Sequence, residues 1–346
     1  MPEAIWLGII GAVLTMWLTG SVRRYALTRN ILDIPNQRSS HTVPTPLGGG
    51  LAIAAVVIGG IMIWGVFGRI GLPVAIALGG GSVFVAIVGW IDDRDQIAPL
   101  PRVALHFVAA TWTVVWLGGF STLRVGSAEV SLGWGGSVIA IVAIVWAINL
   151  YNFMDGIDGL ASTEAISVGV VGGVVLFLGG SAGLAGVAFL VAGAALGFLR
   201  WNYPPARIFM GDVGSGMIGF LVAGLALSGE ALGGVPAWLW VILLGVFVFD
   251  ATATLLRRML RGERWYTAHR SHAYQRLVQA GWGHGAVSWS VLTLNLVLGA
   301  FAILALFYPS QWLLVAALVV VILTACYLAV ERIRPWDSPT AGSRGR

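Results

Sequence analysis

An all-α integral membrane protein is the fold class this sequence predicts, and three observations predict it. Hydrophobic residues fill 58% of the 346 positions, charged residues only 10%, and the mean hydropathy is +0.88. Soluble domains carry about 25% charged residues, so this chain lacks the charge to cover a water-exposed surface. The apolar residues also come in unbroken runs near the ~20 residues that cross a bilayer as helix. They lack the alternation of a transmembrane barrel, and within lipid only a helix or a closed barrel satisfies its own backbone.

Eleven transmembrane helices follow, at 4–22, 47–67, 72–91, 103–119, 134–150, 163–180, 182–199, 213–228, 236–256, 287–308 and 311–330. The first, Ala4 to Val22, has neither a basic leader nor a small-residue cleavage site, and reads as a retained span. The eighth is short and glycine-rich. Ser121 to Leu132 alternates polar and apolar residues around Gly126-Ser127, the pattern of a small external β-hairpin. Residues 1–334 thus form a single polytopic domain. Residues 335–346, rich in Pro, Ser, Gly and Arg, are expected to be a disordered tail. Cys326 lies in the last span, where a packed and inert thiol is expected.

Charge orients the spans. All twenty basic residues are Arg, and eighteen fall in one alternate set of loops: 23–46, 92–102, 151–162, 200–212, 257–286 and the tail from 331. Arg69 and Arg124 alone fall in the other set. The positive-inside rule therefore puts the first set and the C-terminus in the cytoplasm and the N-terminus outside. The net charge of +5 is not a nucleic-acid signature, because no basic stripe or aromatic platform accompanies it.

Eleven of the fifteen acidic residues lie in or beside those same loops. The loops read DIPNQRSSHTVPTPLGGG (33–50), GWIDDRDQ (89–96), NLYNFMDGIDGLAS (149–162), NYPPARIFMGDVGSG (202–216) and HRSHAYQR (269–276). The adjacent carboxylates Asp92 and Asp93, at the end of an apolar span, repel one another and call for a cation. Asp155 and Asp158 are spaced to share a face, and Asp212 opens the next span. Such an oxygen-only donor set suits Mg²⁺, with Mn²⁺ as the alternative ion, and a Mg²⁺ completed by phosphates supports phosphoryl transfer. Gly48-Gly49-Gly50 and Gly214-Ser215-Gly216 stand at helix N-termini that favour anions. His41, Arg38, His269, Arg270 and His272 add donors for phosphate oxygens.

Each feature has a plainer reading. Asp155 and Asp158 serve equally as Asp-Gly turns, and a glycine triplet before a span as helix packing. Asp250, inside the ninth span, is functional by position, or else pairs with Arg257 or Arg258. His106 and His284 read as structural. Five polar loops on one face, four of them carrying glycine, exceed what a scaffold needs.

With these motifs in this order over about residues 33 to 285, the chain resembles the polyprenyl-phosphate N-acetylhexosamine-1-phosphate transferases. The resemblance implies that Asp92 and Asp93 serve the metal site and the lipid phosphate, and that Asn149, Asn152, Asp155 and Asp158 lie near the nucleotide. It implies Asp212 as the principal Mg²⁺ ligand, with Asn152 beside it, and Asn202 and Phe209 next to the uracil. It sets His41 in the first cytoplasmic loop, and His269, Arg270 and His272 at the sugar and phosphate end. The implied substrates are a UDP-N-acetylhexosamine and undecaprenyl phosphate, in a bacterial inner membrane, in an enzyme that often forms homodimers. His272-Ala273-Tyr274-Gln275, in place of three consecutive histidines, and the eleventh span favour the O-antigen-initiating branch over the phospho-MurNAc-pentapeptide transferases. A transporter would spread its acids through mid-membrane positions, and CDP-alcohol phosphotransfer lacks its motif after Asp158-Gly159.

Overall fold

The computed structural model describes residues 1–35, 43–95, 97–263 and 269–336. Arg38, His41 and positions 337–346 of the expected tail lie outside the described residues. Helices occupy all eleven expected spans. They are α1 (Pro2–Thr28), α2 (Gly50–Val66), α3 (Leu72–Asp95), α4 (Pro99–Trp116), α5 (Trp134–Met154), α6 (Leu160–Leu178), α7 (Ala182–Asn202) and α8 (Gly211–Gly233), then the pair α9 (Trp238–Leu243) and α10 (Gly245–Leu260). A short α11 (Ala273–Gln279) precedes α12 (His284–Phe307) and α13 (Trp312–Ile333).

Among the described residues eight helices are long and apolar enough to cross a membrane. The three other spans depart from the expectation in visible ways. α2 is apolar but only 17 residues long. α4 carries Arg102 and His106 near its start. The ninth span, expected as one helix, breaks at Leu244, and Gly245 begins the next helix against Leu298.

The eighth span also departs, in the opposite direction. Expected to be short, α8 runs for 23 residues and is the innermost span, with 83% of its apolar stretch buried against 17% for α13. Its small residues let α2, α3 and α5 close around it. That packing brings the ends of α3 and α5 to the start of α8. Cys326 was expected to be packed, but α13 is an outer helix and leaves the thiol exposed.

The expected hairpin forms from β3 (Thr122–Val125) and β4 (Ala128–Ser131), paired Thr122 to Ser131 and Val125 to Ala128. A second ladder, β1 (Leu32–Asp33) with β2 (Thr45–Pro46), clips together the two ends of the first long loop.

Candidate active site

The site is built on the start of α8. The first turn of any helix leaves backbone N–H groups without partners. Asp93, at the end of α3, takes one of them: the Asp212 N–H donates to Asp93 Oδ1 at 2.8 Å. Gly211 makes the approach possible, since its φ is +75° and a Cβ there would strike the Asp93 carboxylate. The second oxygen, Asp93 Oδ2, is buried with no hydrogen-bond partner among the described residues. An orphan acceptor of this kind calls for a proton or a cation.

Asp92 faces another way. Its Oδ1 accepts the Ile97 N–H at 2.6 Å, and its Oδ2 accepts from Arg102 Nη1. The same Nη1 lies 3.5 Å from Asp212 Oδ2, and the Asp92 and Asp212 carboxylates are within hydrogen-bonding reach of each other. Arg102 thus bridges two acids from α3 and α8. The five motif loops do not contain it. The only sign of it in the sequence is a lone guanidinium at the mouth of an apolar span, ten positions after Asp92.

Asn152, on the last turn of α5, completes the group. Its amide reaches Asp212, and Nδ2 donates to Ser215 Oγ at 3.4 Å. Asn149, one turn earlier, donates through Nδ2 to Val145 O at 2.7 Å and lies 3.5 Å from His106 Nδ1. Arg102, His106, Asn149, Asn152 and Asp212 line a cavity of about 10 Å³, the room one water occupies.

Asp155 caps the end of α5, and its N–H donates to Asn152 O at 3.3 Å. Burial raises its carboxyl to about 7, and the negative charges of Asp93 and Asp158 push it the same way. Asp158 is turned towards other partners. Its Oδ2 accepts the Ala206 N–H at 3.0 Å and lies 3.4 Å from His284 Nδ1. Asn202, expected beside a nucleotide, spends both ends of its amide within the protein. Oδ1 accepts from the Gly159 N–H at 2.9 Å, and Nδ2 donates to Ile208 O at 3.1 Å. The Phe209 N–H donates to Pro46 O at 2.8 Å.

Two amides of the glycine triplet at 48–50 are taken by carbonyls of the chain itself. The Gly49 N–H donates to Phe209 O at 2.9 Å and the Gly50 N–H to Met210 O at 2.8 Å. A Cβ on Gly50 would collide with Gly214. These glycines dock α2 onto the turn that carries Asp212, which is the packing alternative.

The last motif loop forms a second group. Asp250, buried in α10, pairs with neither Arg257 nor Arg258. Its Oδ1 accepts the Ala273 N–H at 2.8 Å, and its Oδ2 the Tyr274 N–H at 3.3 Å. It therefore caps α11, and His272 Nδ1 lies 3.5 Å from it. The rings of His269 and His272 are 4.9 Å apart. Burial lowers His269 to about 4, helped by the positive fields of His272 and Arg258. His269 is thus neutral at pH 7, and the fixed cations of the 269–276 motif are Arg270 and Arg276. Gln279 Nε2 donates to Arg270 O at 2.8 Å, which ties that end of the loop to α11. Tyr274 Oη donates to Phe153 O at 3.3 Å, joining this loop to the one that holds Asp155.

Among the described residues no three His, Cys, Asp or Glu side chains converge as a metal cluster. The arrangement at α8 fits a different kind of ion. Two facing carboxylates, Asp92 and Asp212, with an asparagine amide beside them, suit a hard divalent cation that fills its shell with water and phosphate. Ligation by Asn152 requires Oδ1, which a rotation of the same amide supplies.

The sequence model of glycosyl transferase family 4 matches residues 75–230. A probable undecaprenyl-phosphate N-acetylglucosaminyl 1-phosphate transferase of Bacillus subtilis is 28% identical, over 91% of this chain and 87% of its own length. A decaprenyl-phosphate N-acetylglucosaminephosphotransferase of Mycobacterium tuberculosis is 30% identical, over 87% of this chain and 81% of its own. A phospho-N-acetylmuramoyl-pentapeptide-transferase of a Synechococcus is 31% identical, over 78% of each. The chain belongs to glycosyl transferase family 4, the superfamily of polyprenyl-phosphate hexosamine-1-phosphate transferases, and is a multi-pass membrane protein.

Proposed function

We propose that this chain transfers an N-acetylhexosamine 1-phosphate from its UDP conjugate to undecaprenyl phosphate, releasing UMP and opening an O-antigen or related surface polysaccharide. The observation that carries the reading is the meeting of Asp92, Arg102, Asn152 and Asp212 at the start of α8. The arginine asymmetry of the loops supports a cytoplasmic position for this group in a bacterial inner membrane, with a periplasmic N-terminus. The names of the relatives support a polyprenyl phosphate acceptor and an amino-sugar donor.

In this reading an oxygen of the lipid phosphate forms a bond to the β-phosphorus of the UDP-sugar. The bond from that phosphorus to the bridging oxygen breaks, and its electron pair leaves on UMP. Asp92, through the Arg102 guanidinium it holds, orients the lipid phosphate. Arg102, fixed between Asp92 and Asp212, offers a guanidinium to the equatorial oxygens as charge spreads over them. Asp212, with Asp92 and Asn152, would hold Mg²⁺, which supplies neutralisation of the diphosphate. Arg270, His269 and His272 face the sugar-phosphate end.

Purified protein given undecaprenyl phosphate, Mg²⁺ and a panel of UDP-amino sugars should release UMP with a UDP-N-acetylhexosamine. Release with UDP-MurNAc-pentapeptide alone would move the chain to the peptidoglycan branch, which the Synechococcus relative represents. No release with any donor would overturn the reading.

A further inference from the structure

The carboxylate of Glu331, at the cytoplasmic end of α13, gathers three segments of the chain. Arg257 of α10 donates to both of its oxygens, at 2.7 and 3.1 Å. Arg276 of α11 donates to Oε2 through Nη1. The Trp336 N–H closes on Oε1 at 3.0 Å, and Arg276 Nη1 also reaches Arg334 O at 3.1 Å. The Trp336 ring covers the assembly, with the guanidinium carbons of Arg257 4.6 Å and of Arg276 5.6 Å from its centre.

Arg276 is only 2% exposed, and its Nε and Nη2 have no hydrogen-bond partner among the described residues. A buried guanidinium so sparsely paired depends on the bonds it does make. Those bonds run almost wholly to the end of α13. α11 carries Arg276 at its far end and follows directly on His272. Its near end is capped by Asp250, and Tyr274 Oη reaches the loop that precedes Asp155. The position of α11, and with it the His269–His272 loop, is thus set from α10, α13 and the end of α5.

We infer that Glu331 is a positioning residue for the donor end of the site: it latches α11 to α13 through Arg276 and thereby fixes His269, Arg270 and His272. The inference rests on the proposed role of that loop. It assigns to α13 a part in the reaction, although no residue of α13 belongs to the Asp92–Asp212 group.

Two measurements on Glu331→Ala and Glu331→Gln test it. Hydrogen exchange of the detergent-solubilised chain should show α11 and residues 269–272 deprotected at least tenfold in Glu331→Ala, with 211–216 unchanged. In steady state the KM for the UDP-sugar should rise about fivefold or more, while the KM for undecaprenyl phosphate stays within twofold. Glu331→Gln keeps the acceptor oxygen and should recover part of both effects. Unchanged exchange at α11 would overturn the latch whatever the activity. Exchange lost equally at 211–216 would mark Glu331 as a general stabiliser and overturn the positioning role. A deprotected loop with an unaltered donor KM would overturn the donor-site reading on which the inference rests, and the inference with it.

Discussion

The Asp92–Asp212 group and the His269–His272 loop serve one reaction in the proposed reading, yet they are held by opposite means. The first sits where three interior helices end, and its geometry follows from backbone packing: glycines at 50, 211 and 214 let α2, α3 and α8 touch. The second hangs from side-chain bonds, with Asp250 at one end of α11 and Glu331 at the other. The family match at residues 75–230 spans the first group and stops before the second. A chemistry centre made of helix ends is rigid because moving one acid means moving a core helix. A loop tied by ion pairs is adjustable, since one side chain changes its position without disturbing the core. In the proposed reading that difference points to the core for reaction and to the ties from α10 and α13 for donor choice.

Substitutions sharpen the contrast. Arg102→Ala should lower kcat by about a hundredfold, the scale of removing one fixed charge from a transition-state clamp. Arg102→Lys should recover part of it, because the charge returns without the planar fork. An Arg102→Ala enzyme with normal kcat would show that the bridge between Asp92 and Asp212 is only scaffold. The Glu331 variants belong to the next scale, several-fold on one substrate.

The smallest effect concerns stability. The Asp155 carboxyl, at about 7 in the folded chain, lies above its ordinary 3.8, so ionising it costs folding free energy. Stability from this group is full below pH 3.8 and is lost as pH rises through about 7. Asp155→Asn removes that loss. Its gain in Tm over the parent, measured without divalent cation, should therefore grow from about pH 5 to about pH 8. A gain that shrinks over that range would show that Asp155 is not desolvated beside Asp93 and Asp158.

Much of this was legible in the sequence. Apolar runs placed a helix at every expected span, although the ninth breaks at Leu244 and eight of the described helices are long and apolar enough to cross a membrane; the polar alternation around Gly126 placed the hairpin. The meeting of Asp92 with Asp212 was legible as a shared face and a shared chemistry. What escaped was whatever depends on who touches whom. For Gly48–Gly50 the sequence leaves an anion cradle and helix packing both open, because a free helix N-terminus and one docked on a neighbouring carbonyl have the same local sequence. The partners Asn202 meets, Gly159 and Ile208, lie in two separate loops and leave no mark on its own motif. Arg102 and Glu331 carry no motif signal, because a single charge near a span end is what the positive-inside pattern and helix ends supply anyway.

The central claim is that Asp212 and Asp92 together hold a divalent ion against the donor diphosphate at the start of α8. Mn²⁺ binding to the purified chain, followed by electron paramagnetic resonance with the UDP-sugar present, tests it most directly. The account predicts one bound ion per chain in the parent, with phosphorus coupling from the diphosphate, and loss of that ion in Asp212→Asn with the helical fold retained. Undiminished Mn²⁺ binding and coupling in Asp212→Asn would contradict it.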